Sequence, residues 1–347
     1  MPQQLYLHIG DCKTGSTVIQ NMLAQGHVTP ERRRLFYPGQ VAHGRLVTSL
    51  GRRSDIYPKP WALAAKRLAG ADWDVAVLSS ELFEFANPAK VGAAIRENLP
   101  EYAGTLKVVA YIRPHVSRAL SQFAENLKLG HSTGDMREFV EHFLKVGRLN
   151  YADRLALWRA EFGTRLIVRP FHRDFLTGGD VRRDFLHQIL GGEKFALQDG
   201  QNDNASLGVG DLALMRLLQR RFEAAEVPMD NRVSFGKLFG RLLHARPPAY
   251  PLERLQMPRA LYRRIADHCA LDAGEMDKEW IGRPCFAPAL EQAGNAVPDQ
   301  AQSLEAGEYH TPETLRQSEA WADLILRQMG DAPSDFIKRL RPNQPVP

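Results

Sequence analysis

The segment Leu5-Tyr6-Leu7-His8-Ile9-Gly10-Asp11-Cys12-Lys13-Thr14-Gly15-Ser16-Thr17 constrains this chain more than any other. A mostly apolar run ends in a turn of small residues that carries one lysine and three hydroxyls. Val18, Ile19, Met22 and Leu23 follow at helical spacing. The segment therefore predicts a buried strand over 5–9, a tight loop, and a helix over 15–25. The first N–H groups of a helix have no partner within it, and the macrodipole places about half a positive charge there. A glycine-containing turn at that point lets the main chain close around a phosphate or sulfate oxygen. Lys13 adds a point charge, and Thr14, Ser16 and Thr17 add hydroxyl donors.

The loop that holds nucleoside triphosphates places its lysine directly after the last glycine. Here Lys13 precedes Gly15, so the segment is a poor match to that loop. A second unit of the same kind lies further on. Leu106-Lys107-Val108-Val109-Ala110-Tyr111-Ile112 reads as a buried strand, Arg113-Pro114 as its turn, and the residues from 114 to 128 as a helix. Arg113 falls at the strand's end and Ser121 eight residues later. A guanidinium fork and a hydroxyl from such positions are suited to a second phosphate.

With these two motifs, in this order, the chain resembles the sulfotransferases that use 3′-phosphoadenosine 5′-phosphosulfate (PAPS), in particular the bacterial, carbohydrate-sulfotransferase-like members. Weaker similarities are Val168-Arg169-Pro170-Phe171, Gly178-Gly179-Asp180-Val181, Asp184-Phe185-Leu186, Asn202 to Leu207, Leu271-Asp272 and Gly282-Arg283-Pro284. The family usually has Asp beside the motif arginine, where this chain has Pro114-His115. The resemblance implies that Thr14, Gly15, Ser16 and Thr17 hold the 5′-phosphate and that Arg113 and Ser121 hold the 3′-phosphate. It gives Lys13 the bridging oxygen and the sulfuryl group. It also implies PAPS as donor, 3′,5′-adenosine bisphosphate as product, no metal, and a hydroxyl acceptor on a glycan or glycolipid. A general base is needed, and two candidates stay open. Glu81 ends the apolar run Val75-Ala76-Val77-Leu78-Ser79-Ser80, at the strand edge where ligands bind in such sheets. His43 lies in the irregular stretch Gly39 to Gly44 and titrates near neutrality when unperturbed.

Apolar runs near 74–79, 106–112 and 165–169 alternate with helical patterns near 61–69, 88–97, 135–146, 151–161 and 180–190. This predicts an α/β fold of the P-loop type: a three-layer sandwich with a central parallel sheet flanked by helices, plus a helical C-terminal portion. The organisation expected is a PAPS-binding core over 1–200, a helical portion over 201–286, and an acidic, loosely ordered tail with a short helix over 287–347. The irregular stretches 27–60, 128–136 and 225–255 are expected to carry acceptor specificity.

At 347 residues and 44% hydrophobic content the chain can bury one large core. No apolar run approaches the roughly eighteen residues of a membrane span. No secretory leader pattern stands at the start, so a cytoplasmic enzyme is expected, with peripheral contact to a glycolipid left open. Three cysteines, at 12, 269 and 285, provide neither a disulfide framework nor a metal-ligand spacing. Net charge is +5, and the early basic residues Arg32 to Arg34, Arg45, Arg52-Arg53, Lys59 and Lys66-Arg67 are not interleaved with aromatics. That weighs against a nucleic-acid partner. Two rival functions remain: a P-loop nucleotide kinase, which the position of Lys13 disfavours, and a non-catalytic glycan-binding protein on a sulfotransferase-like fold, which retention of Lys13, Arg113 and Ser121 disfavours.

Overall fold

The computed structural model describes residues 3–39, 41–51, 55–198, 207–246, 252–295 and 297–331. In chain order the elements are β1 (Gln4–His8), α1 (Ser16–Ala24), β2 (Val28–Pro30), β3 (Leu35–Phe36), α2 (Gly44–Thr48), α3 (Lys59–Ala69), β4 (Val75–Ser79), a 3₁₀ turn (Glu81–Phe85), α4 (Pro88–Asn98), β5 (Lys107–Ile112), α5 (His115–Leu129), α6 (Met136–Lys145), α7 (Tyr151–Phe162), β6 (Leu166–Pro170), α8 (Val181–Leu190) and β7 (Phe195–Leu197). Then come α9 (Val209–Ala224), α10 (Met229–His244), α11 (Arg259–Glu275), α12 (Phe286–Ala293) and α13 (Pro312–Asp331). They divide into two compact units. One comprises residues 1–115, 149–202 and 269–291, the other 116–148, 203–268 and 292–347.

The first unit is built on a five-stranded sheet in the order β3-β4-β1-β5-β6 with every pairing parallel. Strands buried on both faces read as continuous apolar runs, and β4 (Val-Ala-Val-Leu-Ser) is buried throughout. Side chains alternate between the two faces. Tyr6, Val75, Val77, Val109 and Tyr111 join Ile19, Met22 and Leu23 of α1 and Phe185, Leu186, Ile189 and Leu190 of α8 in one core. The alternate residues Leu5, Leu7, Ala76, Leu78, Val108 and Ala110 are equally buried. On that second face α7 packs on β5 and β6, α4 on α7, and α3 on α4. Right-handed crossovers require this arrangement. The connection after β1 runs towards β3, whereas those after β3, β4 and β5 run the other way, so α1 and the other crossover helices fall on opposite faces. The expected parallel sheet between helical layers is present.

The opposed directions have a further consequence. The connections leaving β1 and β5, which are neighbours, diverge, and a crevice opens between their C-terminal ends. It is bordered by the 9–15 loop on one side and by Arg113 on the other.

A buried ionic knot fixes the far edge of the sheet. Asp184 on α8 is fully buried. Its Oδ2 accepts the Tyr111 hydroxyl at 2.7 Å and Arg169 Nε at 3.1 Å, and its Oδ1 accepts Arg169 Nη2 at 2.7 Å and both the N–H and the hydroxyl of Thr177. One carboxylate thus joins β5, β6, α8 and the 173–179 turn. The Arg169 and Asp184 of the family-like segments belong to this knot.

The second unit is helical. Leu214, Met215, Leu218 and Phe222 of α9, Phe235 of α10 and Ala322 of α13 form its core, with Phe239, Leu243, Leu315, Ile325 and Leu326 packed around them. The stretch 225–255, expected as irregular, contains α10, a helix of 16 residues whose Phe235, Phe239 and Leu243 recur at helical spacing. Likewise α12 occupies the start of the tail over 287–347, which is expected to be loosely ordered. The helix expected as a short one in that tail is α13, which spans 20 residues. Asn202 to Ser206, Pro247, Pro248 and Pro251 lie outside the described residues. No helix among the described residues is long and apolar enough to cross a membrane.

Of the early basic residues, the Arg32 and Arg33 N–H groups donate to Glu193, and the Arg34 guanidinium pairs with Asp72 and Asp74. Arg52 and Arg53 lie outside the described residues.

Burial pushes the Asp184 carboxyl up, but the bonds from Arg169 and Tyr111 outweigh it and hold the group below the ordinary carboxylate range. A carboxyl depressed on folding stabilises above its unfolded value, about 3.9, and the contribution is lost as pH falls through the folded value. Asp184→Ala leaves the buried Tyr111 hydroxyl and the half-buried Arg169 guanidinium without their carboxylate and should cost about 1–3 kcal/mol in urea unfolding at pH 7. The deficit relative to wild type should shrink only below about pH 4.

Candidate anion-binding site at the ends of β1, β4 and β5

Helices α4, α6 and α8 begin with side-chain caps from Asn87, Asp135 and Asp180. α1 has Gly15 at its N-cap position, and no side chain caps it. Gly15 has φ +79°, and a Cβ there would lie 3.0 Å from Val181 Cγ1 and 3.3 Å from the Phe171 ring. Gly10 has φ +90°, and a Cβ there would lie 2.9 Å from Glu81 Cα. Both positions therefore require glycine. Lys13 lies between them with φ 63°, in the left-handed region, at a cost of about 1–2 kcal/mol for a residue with a side chain.

The loop is tied to β5 by main-chain bonds that continue the pairing past the end of β1. Ile9 N–H donates to Val109 O at 2.9 Å, Asp11 N–H to Tyr111 O at 2.8 Å, and Tyr111 N–H to Gly10 O at 2.6 Å. Inside the turn, the Thr14 and Ser16 hydroxyls both donate to the Asp11 carbonyl, at 2.5 and 3.1 Å. Both residues are buried, whereas Thr17 is exposed. Among the four residues expected at the 5′-phosphate, two hydroxyls thus shape the loop. The donors suited to an anion are the main-chain N–H groups at the start of α1 and the Thr17 hydroxyl.

Arg113 follows β5 directly. Its Nη1 donates to the Lys13 carbonyl at 3.1 Å, and its guanidinium lies 5.6 Å from the centre of the Phe171 ring. Residues separated by 100 positions in the sequence are therefore in contact. Tyr151 OH donates to the Arg113 carbonyl at 2.9 Å and fixes the turn. His115 is buried, with Nε2 2.7 Å from Asp272 Oδ2 and its ring stacked on Tyr151. Asp272 Oδ1 also accepts the Ala152 N–H. Leu271-Asp272, a family-like pair, thus anchors this junction. Ser121 lies six residues into α5, in the second unit.

Glu81 opens the 3₁₀ turn after β4, with Ser80 capping it by accepting the Leu82 N–H. Its Oε2 accepts a 2.9 Å bond from Gln20 Nε2. The Gln20 amide also reaches Ser79 Oγ at 3.2 Å, and Ser79 Oγ lies 2.8 Å from His8 Nδ1. A buried polar chain therefore runs His8–Ser79–Gln20–Glu81. One 3₁₀ turn later, Glu84 is buried and its Oε2 accepts the Cys12 N–H at 2.9 Å.

His43 lies beside the same strand end but is otherwise engaged. Its N–H donates to Ser79 O at 2.8 Å, and its Nδ1 lies against the Ser79 main chain, 3.1 Å from the N–H nitrogen and 3.3 Å from the carbonyl oxygen. Nε2 is buried against Gly39, where a Cβ would lie 2.7 Å away, and it has no partner among the described residues. Burial, assisted by Arg67 and opposed by the Ser79 bond, pushes its pKa down to about 4. Burial likewise pushes His8 down to about 3.

Sequence reasoning brought Lys13, Gly15, Glu81 and Arg113 to one place. It passed over Gln20, Glu84 and the pair Asp11–Arg154, in which Nη1 and Nη2 each lie 2.6 Å from a carboxylate oxygen. The one available signal was a carboxylate, Asp11, in a loop otherwise built for anions. Among the described residues no cluster of His, Cys, Asp and Glu could hold a metal ion.

No family model matches the chain, and no curated protein resembles it in sequence. Among solved structures, a sulfotransferase from Alicyclobacillus acidocaldarius superposes with a TM-score of 0.44 at 12% identity, covering 84% of this chain and 99% of that one. A likeness of that size adds nothing to what the geometry says.

A histidine whose pKa is lower folded than unfolded stabilises above its unfolded value, near 6.5, and loses that contribution as pH falls towards the folded value. Urea unfolding of the wild type should therefore show stability declining between about pH 6.5 and pH 4. In His43→Gln the slope across that window should be shallower.

Proposed function

We propose that this protein is a PAPS-dependent sulfotransferase that moves a sulfuryl group to an acceptor hydroxyl on a glycan or glycolipid. The observation that carries this is the contact of Arg113 with the Lys13 carbonyl across the β1–β5 crevice. It joins two cationic strand–turn–helix motifs, and a donor with phosphates on both sides of its ribose needs two such sites. The lysine-before-glycine order favours it over a nucleoside-triphosphate kinase.

The uncapped start of α1 and Lys13 face the 5′-phosphosulfate, and Arg113 together with Ser121 takes the 3′-phosphate. The acceptor oxygen forms the new bond to sulfur as the bond from sulfur to the bridging phosphate oxygen breaks. The electron pair of that bond leaves on the 5′-phosphate of 3′,5′-adenosine bisphosphate. Negative charge on the leaving and equatorial oxygens is met by preorganised donors, the main catalytic device in such transfers. The acceptor proton goes to Glu81. Two features favour Glu81 over His43: its Oε2 is oriented by Gln20, and both His43 ring nitrogens are turned into the protein.

In a thermal-shift assay, 3′,5′-adenosine bisphosphate without metal should stabilise the protein, by about 2.7 kcal/mol at a hundredfold excess over Kd. Lys13→Ala and Arg113→Ala should lose that gain. Stabilisation by ATP with magnesium alone would sink the proposal. With labelled PAPS and a panel of glycan hydroxyls, Glu81→Gln should transfer about 10²–10⁴ more slowly while keeping the bisphosphate shift.

A further inference from the structure

The anion loop contains an acid. Asp11 lies between Gly10 and Lys13 and is only 1% exposed. A carboxylate there opposes any phosphate or sulfate the loop is to hold. A second acid, Glu84, is buried against the Cys12 N–H. Unopposed, the two would cancel the positive field of Lys13 and the helix start.

The opposing charge comes from the first turn of α7. Arg154 meets both oxygens of Asp11 in a fork of two 2.6 Å bonds, and the Glu84 charge also acts on it. The fork fixes more than charge. The Asp11 carbonyl receives the Thr14 and Ser16 hydroxyls, and its N–H donates to Tyr111 O, so the orientation of Asp11 sets the conformation of the whole turn. The same helical turn supplies Tyr151, which holds the Arg113 carbonyl, and the Ala152 N–H held by Asp272. One turn of helix thus fastens both phosphate motifs.

On the sulfuryl-transfer reading, we propose that Arg154 is a positioning residue of the donor site, neutralising Asp11 and holding the Gly10–Gly15 turn in its anion-binding shape. It acts through Asp11, not by touching the donor. The effect has a sign that a purely structural bond lacks. Removing Arg154 exposes the anion to the Asp11 charge, whereas removing that charge as well relieves it.

The test is isothermal titration of the folded wild type, Arg154→Met, Arg154→Lys, Asp11→Asn, and Asp11→Asn with Arg154→Met, using 3′,5′-adenosine bisphosphate and inorganic sulfate as probes. Arg154→Met should bind either probe on the order of tenfold more weakly, the effect of one unneutralised charge near the ligand. Arg154→Lys, with the charge but no fork, should fall between it and the wild type. Asp11→Asn should bind more tightly than Arg154→Met, and the double variant should recover the part of the loss that is due to the Asp11 charge. Two results would overturn the inference: an unchanged Kd in Arg154→Met with only a lower unfolding temperature, or a double variant as weak as Arg154→Met. If the wild type binds sulfate but not the bisphosphate, the sulfotransferase reading fails, and the sulfate series still judges Arg154. If it binds neither, both fail.

Discussion

The structure of the site depends on the parallel pairing of β1 with β5 continuing beyond the last residue of β1. The bonds Ile9 N–H to Val109 O, Asp11 N–H to Tyr111 O and Tyr111 N–H to Gly10 O hold the loop against the neighbouring strand. A loop free of β5 would be a flexible turn with a lysine in it. Held there, it presents the start of α1 to the same crevice that Arg113 enters from the end of β5. The crevice itself follows from topology, because the chain leaves β1 and β5 in opposite directions. Sheet order and loop chemistry therefore act on one place.

The elements around the site were readable because each has a local signal. β1, β4, β5 and β6 are apolar runs of five or six residues ending in small or charged ones, and the helices after them carry regular apolar faces. Elements defined only by a distant partner were not readable. β2 and β7 are three residues each and exist because Val28–Pro30 pairs with Phe195–Leu197. α10 had a signal, Phe235-Phe239-Leu243, but the chain around it is rich in Arg and Lys, which masked the apolar face. Arg154 could not be found at all: its partner is 143 residues away, and on α7 it reads as one more surface arginine.

Gln20 illustrates a different limit. By hydrophobic pattern it belongs to the polar side of α1, yet it is 2% exposed. A buried amide must satisfy its hydrogen-bonding groups, and here the NH₂ divides between Ser79 Oγ and Glu81 Oε2. The requirement fixes the rotation of α1 about its axis relative to β4. The helix that presents the anion donors and the carboxylate after β4 are consequently placed by the same side chain. A residue that looks like a packing error in the sequence is what relates the two halves of the proposed chemistry.

The electrostatics around β4 and β1 follow from the same economy of charge. His8 and His43, both buried, have their pKa values pushed far below neutrality, and Gln20 is uncharged, so the polar chain leading to Glu81 carries no net charge of its own at neutral pH. Replacing any of these by a permanent cation would pair with Glu81 and hold it as a carboxylate unable to serve as the proposed proton acceptor. Replacing one by an acid would weaken the positive field at the adjacent helix start. Neutral donors orient the carboxylate without either effect. The acids that do lie under the anion loop, Asp11 and Glu84, are buried, the first forked by the Arg154 guanidinium and the second acting on that guanidinium through its charge, whereas the Glu81 carboxylate accepts the Gln20 amide. The difference in partner separates the carboxylates that build the loop from the one proposed as the proton acceptor.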